Sequence, residues 1–205
     1  MERNQIKKYV HMFALAVLAG IAIGIGGTVY LSMENKTAGA LLFTVGLYTI
    51  CVHGLNLYTG KVGYLVNEPL SYVGCLLVIW FGNLAGTGLT AAAVSRTRIS
   101  GIGGLAAAVC EVKVNDQLPG LFLLAVFCGF LMFAAVDGYK ATGNPVILFL
   151  GVAAFILCGF EHCIADMFYF FAGGAWSPRA AVCILVITLG NSAGAVLIPL
   201  VRKMA

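Results

Sequence analysis

The chain has 205 residues, of which 61% are hydrophobic and 10% are charged, and its formal net charge is +4. A soluble domain carries about 25% charged residues, so this composition excludes an ordinary soluble enzyme or binding domain. No basic run with interleaved aromatic residues indicates a nucleic-acid partner, and no spacing of residues indicates a metal site or a cofactor. The composition predicts one all-helical integral membrane domain over residues 1–205.

Six apolar segments follow one another along the chain. A transmembrane helix needs about 20 apolar residues. The segments lie at 9–33, 38–66, 69–94, 118–139, 144–173 and 179–201. The longest connection, residues 95–117, carries five charged side chains and is expected to be a loop. Six spans place both termini on one side of the membrane, and the basic residues near both ends predict that this side is cytoplasmic.

Two Gly-Asn motifs indicate an internal repeat. The motif GNLAG at 82–86 resembles GNSAG at 190–194, which follows 108 residues later. Glycines four residues apart let helices approach closely in lipid, and we expect Asn83 and Asn191 to be structural supports. With three spans per half, the halves must insert in opposite orientations, as in many transport proteins. The expected halves cover about 9–94 and 118–201.

The second and fifth segments are unusually long and carry polar residues near their middle. A straight helix of about 30 residues measures about 45 Å, whereas the hydrocarbon core is about 30 Å thick. A break near the midplane explains both features, and the freed backbone groups must then face protein or a water-filled cavity. Gly54 and Gly159 occupy matching places, 105 residues apart. The polar residues are His53, Asn56, Thr59, Lys61, Glu161, His162 and Asp166.

Glu161 and His162 are adjacent ionisable residues expected near the middle of the fifth span. Such a residue costs at least about 2.5–3.5 kcal/mol on insertion scales, so the pair needs partners and a reason. We expect His162 to line a passage and to offer a hydrogen bond or a proton. Asn56 and Glu161 are expected to support the breaks, with Glu161 accepting hydrogen bonds from the backbone or from the other half. The alternative for Glu161 and His162 is a purely structural cluster.

Thr59 lies in the break that matches the one at His162. A hydroxyl followed by a glycine suits an irregular segment that lines a cavity, and a helix-capping threonine is the alternative. Apolar residues around this polar centre are candidates for hydrophobic constrictions, with ordinary core packing as the alternative. These residues are Phe43, Leu47, Leu57 and Phe155.

The run GFEHCIADMF at 159–168, with LYTG at 57–60 and the paired Gly-Asn motifs, resembles the formate/nitrite transporter family over essentially the whole chain. The resemblance implies an aquaporin-like fold of six spans in a 3+3 inverted repeat. It implies a homopentamer with one pore per protomer, in the cytoplasmic (inner) membrane of a prokaryote. It also implies a central histidine that faces a loop threonine between hydrophobic necks, and a vestibule lysine. The residues that it assigns to the pore are His162, Thr59, Phe43, Leu47, Leu57, Phe155 and Lys113.

Several positions depart from the usual pattern of that family. Asn56 stands where an acidic residue is common, and Lys61 and Asp166 stand where polar, uncharged residues are common. The asparagine that braces the glutamate in the family aligns with Gly129. Because Asp166 would repel anions, we hypothesise that Lys113 or another outer basic residue neutralises it, at a distance within about 6 Å. Without such a partner, Lys113 is an ordinary solvated loop lysine.

The expected function is therefore a channel or transporter, not an enzyme, for small monovalent anions and their conjugate acids. Formate is the expected substrate, with nitrite or hydrosulfide as alternatives, and the passage is expected to be proton-coupled or pH-gated. An apolar neck raises the pKa of the anion because desolvation penalises charge, so a proton from solvent or His162 would let it cross as a neutral acid. A channel for neutral solutes such as water or glycerol is the alternative from another class.

Overall fold

The computed structural model describes residues 2–204, and the side chains of residues 5–204. Every regular element in this range is helical. The elements are α1 (Glu2–Ser32), α2 (Lys36–Val52), a 3₁₀ helix (Val62–Asn67), α3 (Tyr72–Val94), α4 (Ile102–Asn115), α5 (Leu118–Thr142), α6 (Val146–Leu157), α7 (Cys163–Ala172) and α8 (Pro178–Lys203). The prediction of an all-helical membrane protein is thus consistent with the structure.

Four of these helices are long and apolar enough to cross a membrane, by length and composition. They are α1, α3, α5 and α8, and they coincide with the first, third, fourth and sixth apolar segments. The second and fifth segments are each divided between two shorter elements. Residues 53–61 separate α2 from the 3₁₀ helix, and residues 158–162 separate α6 from α7. The polar groups expected at midspan lie in or next to these non-helical stretches.

Helices α2 and α6 end in the same way. Gly54 and Gly159 have φ angles of +64° and +69°, the left-handed conformation that glycine adopts without steric cost. The amide of the next residue then donates back to a carbonyl five positions earlier, from Leu55 to Ile50 at 2.9 Å and from Phe160 to Phe155 at 2.8 Å. This is the Schellman arrangement of helix ends. The matching of Gly54 with Gly159 in the sequence therefore has a conformational basis.

The long helices pair closely, α1 with α3 and α5 with α8. A Cβ atom added to Gly86 of α3 would lie 2.8 Å from the amide nitrogen of Ile21, and one added to Gly194 of α8 would lie 2.8 Å from that of Phe130. Real side chains do not tolerate such distances, so only glycine permits these crossings. The close helix approach predicted from the two Gly-xxx-Gly motifs is confirmed.

The prediction of a loop over residues 95–117 is wrong in its larger part, because Ile102–Asn115 form α4. The buried residues of α4 recur every three or four positions, which places them on one face of a helix. That face packs mainly against α7. The charged residues at its end masked this periodicity in the sequence. The buried set is Ile102, Ala106, Cys110 and Lys113.

Candidate functional site

Asn83 of α3 holds the non-helical stretch that follows α2. Its side-chain oxygen accepts a hydrogen bond from the amide of Tyr58 at 2.9 Å. Its side-chain nitrogen donates to the carbonyl oxygens of Ala16 and Asn56, each at 2.8 Å. The side chain of Asn56 in turn donates to the carbonyl of Met12 at 3.2 Å. One buried amide thus satisfies two backbone groups that the interruption of the helix leaves without intrahelical partners.

Asn191 of α8 makes the corresponding contacts in the other half of the chain. It accepts from the amide of Cys163 at 2.9 Å and donates to the carbonyl oxygens of Ala125 and Glu161, each at 2.8 Å. The matched bonds pair Asn56 with Glu161 and Tyr58 with Cys163. In this alignment of the two halves, Leu57 occupies the position that corresponds to His162. Thr59 therefore does not correspond to His162 in the repeat.

Thr59 and His162 meet across the two halves. The Thr59 Oγ1 lies 2.9 Å from the His162 Nε2, and both residues are buried. The His162 Nδ1 accepts a hydrogen bond from the amide of Ala165 at 3.1 Å, which caps the start of α7. A ring nitrogen that accepts carries no hydrogen, so the neutral imidazole has its hydrogen on Nε2 and donates to Thr59. The threonine hydroxyl hydrogen is then left to donate to a passing molecule.

This geometry favours one of the two roles expected for His162. A second proton would have to reside on Nδ1, where it would point at the N–H of Ala165 and remove the cap of α7. The neutral ring can serve as a hydrogen-bond donor without disturbing that contact. The structure therefore favours the hydrogen-bond role over the proton-donor role.

The four candidate constriction residues are buried, and two of them, Phe43 and Phe155, lie beside His162. Phe43, Leu47, Leu57 and Phe155 are all buried. The rings of Phe43 and Phe155 pack edge to face with centroids 5.9 Å apart. The Phe155 ring also stacks on His162 at 5.5 Å. These contacts place the aromatic pair beside the imidazole, where it excludes water from the hydrogen bond.

Two cavities flank this apolar region. The smaller, of about 50 Å³, is lined by Leu57 and Gly60 together with Lys61 and Lys140. The larger, of about 220 Å³, is lined by Phe155 and His162 together with the charged residues Lys113, Glu161 and Asp166. Each volume exceeds the roughly 10–15 Å³ that one water molecule needs. Phe43, Leu47 and Thr59 line neither of these two cavities.

Lys113 is buried and pairs with two carboxylates. Its Nζ lies 3.0 Å from the Asp166 Oδ1 and also donates a short hydrogen bond to Glu161. The hypothesis that Lys113 neutralises Asp166 is confirmed, and the description of Lys113 as a solvated loop residue is wrong. Its place on the inner face of α4 explains both results, since that face packs on α7, which carries Asp166.

The partners expected for Glu161 need correction. Its carboxylate is bound by Lys113 of α4 instead of by backbone amides, and only its main-chain carbonyl contacts the asparagine support. Gly129, which aligns with a bracing asparagine, has no room for a side chain. A Cβ atom there would lie 2.7 Å from the Cα of Asn191. The ammonium of Lys113 therefore does the bracing that an amide side chain does elsewhere.

Two residues of the site were not predicted from the sequence. Tyr30 and Tyr169 line the larger cavity. Tyrosines within apolar runs give no periodic or motif signal, so nothing in the sequence distinguished them from core residues. Within residues 5–204, Lys61 makes no side-chain hydrogen bond or ion pair, although its cavity is shared with Lys140. His53 is exposed at the end of α2 and is not part of the Thr59–His162 centre.

An apolar helical protein with a buried imidazole–hydroxyl pair between two cavities has the construction of a membrane channel or transporter. The comparisons with known proteins agree. The family model described as Formate/nitrite transporter matches residues 2–204, so the chain belongs to this family of transport proteins.

Curated relatives are formate channels. The chain is 27% identical to the formate channel FocB of Escherichia coli (strain K12) over 193 residues, which cover 78% of this chain and 65% of that protein. It is 26% identical to the formate channel FocA of Haemophilus influenzae over 182 residues, which cover 76% of this chain and 64% of that protein. The matched part is thus just under two thirds of the length of either channel.

A solved structure shows the same fold. The chain is 27% identical to a protein described as a pentameric formate channel with formate bound, with a TM-score of 0.82 and 97% of each chain covered. A second structure, described as an FNT family ion channel, has a TM-score of 0.80 at 20% identity, and that likeness concerns the fold alone.

Proposed function

We propose that this chain forms a pore for small monovalent anions and their conjugate acids, with formate as its substrate. The observation that carries the proposal is the Thr59–His162 hydrogen bond at 2.9 Å, enclosed by apolar side chains between two cavities that both contain basic residues. A pair of neutral polar groups suits a small, planar, oxygen-rich solute. The formate channels among the relatives support the choice of substrate.

The proposed mechanism follows from the charges and their surroundings. Lys61 and Lys140 at the smaller cavity raise the local concentration of anions. Between the cavities, the apolar side chains cannot replace the hydration shell of an anion, so the charged form is penalised and the neutral acid is favoured. The hydroxyl of Thr59, oriented by the Nε2–H of His162, offers the hydrogen bond that we assign to the constriction. Passage is then coupled to one proton.

We also propose the finer architecture of the pore. The matched supports Asn83 and Asn191, and the matched helix ends at Gly54 and Gly159, support six spans in a 3+3 inverted, aquaporin-like repeat with broken second and fifth spans. The most apolar 18-residue stretches of the four long helices are only 39–44% buried within one chain. Their outer faces are therefore available to lipid and to neighbouring copies, and the pentameric relative supports a homopentamer. We place it in a prokaryotic cytoplasmic membrane with both termini inside.

Flux into proteoliposomes tests the function. Purified protein is reconstituted, and uptake of formate, nitrite and hydrosulfide is followed at two external pH values one unit apart. If the neutral acid crosses, lowering the external pH by one unit raises uptake by up to about tenfold, since the protonated fraction of a weak acid rises in that proportion. Stopped-flow light scattering with glycerol tests the alternative function, a channel for neutral solutes. Glycerol permeation with no formate uptake would refute the proposal.

The His162→Asn variant tests the site. Asparagine can still accept a hydrogen bond from the Ala165 amide, but its side chain is too short to place a donor where Nε2 contacts Thr59, and it leaves the Phe155 ring without its stacking partner. We expect a change in selectivity among the three anions or in the response to pH. Unchanged flux and an unchanged pH profile would remove His162 from the mechanism.

A further inference from the structure

The Lys113–Glu161–Asp166 triad contains one ammonium and two carboxyl groups in a buried place. The exposed fractions of the residues are 7%, 5% and 2% in that order. With all three groups ionised, the triad would carry one excess negative charge. Burying an uncompensated charge is costly, and a carboxyl group in that position binds a proton instead.

The contacts within the triad point to the same proton. Lys113 binds Asp166 through Oδ1 only, and Asp166 Oδ2 is buried without a hydrogen-bond partner. Lys113 also binds Glu161, so one ammonium group faces two carboxyl groups. The charge balance of the triad therefore calls for one proton on the two carboxyl groups.

Within residues 5–204, no second cation pairs with the carboxyl groups of the triad. Arg179, at the start of α8, donates instead to the carbonyl oxygens of Val114 and Asp116. The titratable residues that face it are Tyr30 on α1, Cys110 on α4, Cys128 on α5, His162 at the start of α7, Cys163 and Tyr169 on α7, and Cys183 on α8. Thiols and phenols ordinarily lose their protons only above about pH 8, and they are neutral below it. His162 is held neutral by its cap on α7. The stored proton therefore belongs to the two carboxyl groups.

We infer that the Glu161–Asp166 pair is the proton reservoir of the pore, and that Asp166 delivers its proton to an anion in the larger cavity. The O–H bond on Asp166 breaks and an O–H bond forms on the carboxylate of the permeating anion. Asp166 is left as a carboxylate paired with Lys113, and a proton from the water of the cavity restores the acid. The inference rests on the proposed passage of a neutral acid, and it names the group that supplies the proton.

Asp166 meets the geometric requirement for this role. It lines the same cavity as Phe155 and His162, so a small anion that occupies the cavity contacts both the acid and the entrance to the constriction. Lys113 stabilises the Asp166 carboxylate that remains after proton transfer.

Asp166→Asn tests the inference with little change in volume. The variant keeps the Lys113–Glu161 ion pair, which is neutral as a whole and needs no proton. General acids typically contribute about 10²–10⁴-fold, so we expect formate uptake at a given pH to fall at least about tenfold. Asp166→Glu, which retains an acid, should recover part of the rate. Asp137→Asn is the matched control, because Asp137 pairs with Arg202 and lies outside the larger cavity.

Infrared spectroscopy detects the protonated carboxyl group directly. The wild-type protein should show the carbonyl band of a protonated carboxyl group at neutral pH, and Asp166→Asn should lack it. Absence of that band in the wild type overturns the inference even if the variant does not fold. Wild-type flux and pH dependence in Asp166→Asn would also overturn it, while leaving anion passage by solvent protonation intact. If the wild type itself takes up no formate, the proposed function fails instead.

Discussion

Replacing Asn191 by leucine should destabilise the protein and abolish transport together. The amide makes three hydrogen bonds, to Cys163, Glu161 and Ala125, and none of its surface is exposed. The Ala125 carbonyl lies within α5 and keeps its helical partner. The Cys163 amide and the Glu161 carbonyl flank His162 in the non-helical stretch, and both would lose the side chain that satisfies them.

The magnitude follows from these two groups. A buried backbone group left without a partner costs about 1–3 kcal/mol, so the pair costs about 2–6 kcal/mol. Leucine has the branched outline of asparagine but is larger, so it leaves no cavity, and overpacking adds to this cost. A loss of 2 kcal/mol lowers the unfolding midpoint by about 4–8 °C in a chain of this size. Because the two groups fix the backbone on either side of His162, the imidazole also loses its alignment with Thr59.

Thermal unfolding in detergent measures the effect. Intrinsic tryptophan fluorescence is a suitable signal, since Trp80 of α3 donates to Thr188 of α8 at 3.1 Å and therefore reports on the contact between these helices. Ser192→Ala is the matched control one residue along α8. It removes the contact with the Tyr58 hydroxyl and the donation to the Thr188 carbonyl within α8, each worth about 0.5–1.5 kcal/mol, and leaves the asparagine support in place. An Asn191→Leu protein that unfolds at the wild-type temperature and transports formate would refute the reasoning.

Three further substitutions have defined outcomes. Gly129→Ala places a Cβ atom 2.7 Å from the Cα of Asn191 and should lower the free energy of unfolding by about 1–3 kcal/mol. Gly120→Ala on the same helix is the control, because its added Cβ lies 3.4 Å from the nearest atom and should be tolerated. Gly159→Ala should cost about 1–2 kcal/mol through its positive φ alone, because nothing lies within 4 Å of the added atom. Lys61→Met should lower formate flux at low ionic strength but not at high salt, where the charge is screened. Lys203 lines neither cavity, so Lys203→Met should leave the flux unchanged under both conditions.

The long helices were predictable because their signal is local. An apolar run of the right length needs no knowledge of partners, and α1, α3, α5 and α8 each coincide with such a run. The ends of α2 and α6 were also indicated in advance, because glycine is the residue that the left-handed helix end requires. The helix α4 was missed because its signal is weak. Its sequence mixes small apolar residues, glycines and charged residues, and such a composition is also typical of a loop.

The contacts of the site were predictable only in part. The proximity of Thr59 to His162 was expected from their places in matching breaks and, as a facing pair, from the family resemblance. The tautomer of His162 depends on the amide of Ala165, which a sequence cannot place. The partner of Glu161 depends on how α4 packs on α7. These are long-range packing outcomes, and neither composition nor periodicity contains them.

Two of the departures from the family's usual residues, Gly129 and Asp166, are related through Lys113. Gly129 offers no side chain to brace Glu161, because α8 passes too close at Asn191. Asp166 adds a second carboxyl group to the same buried place. One ammonium satisfies both acids, provided that a single proton remains between them. Removing the ammonium by Lys113→Met would leave two buried acids without a cation, so it should be more harmful than Asp166→Asn, which leaves a balanced pair.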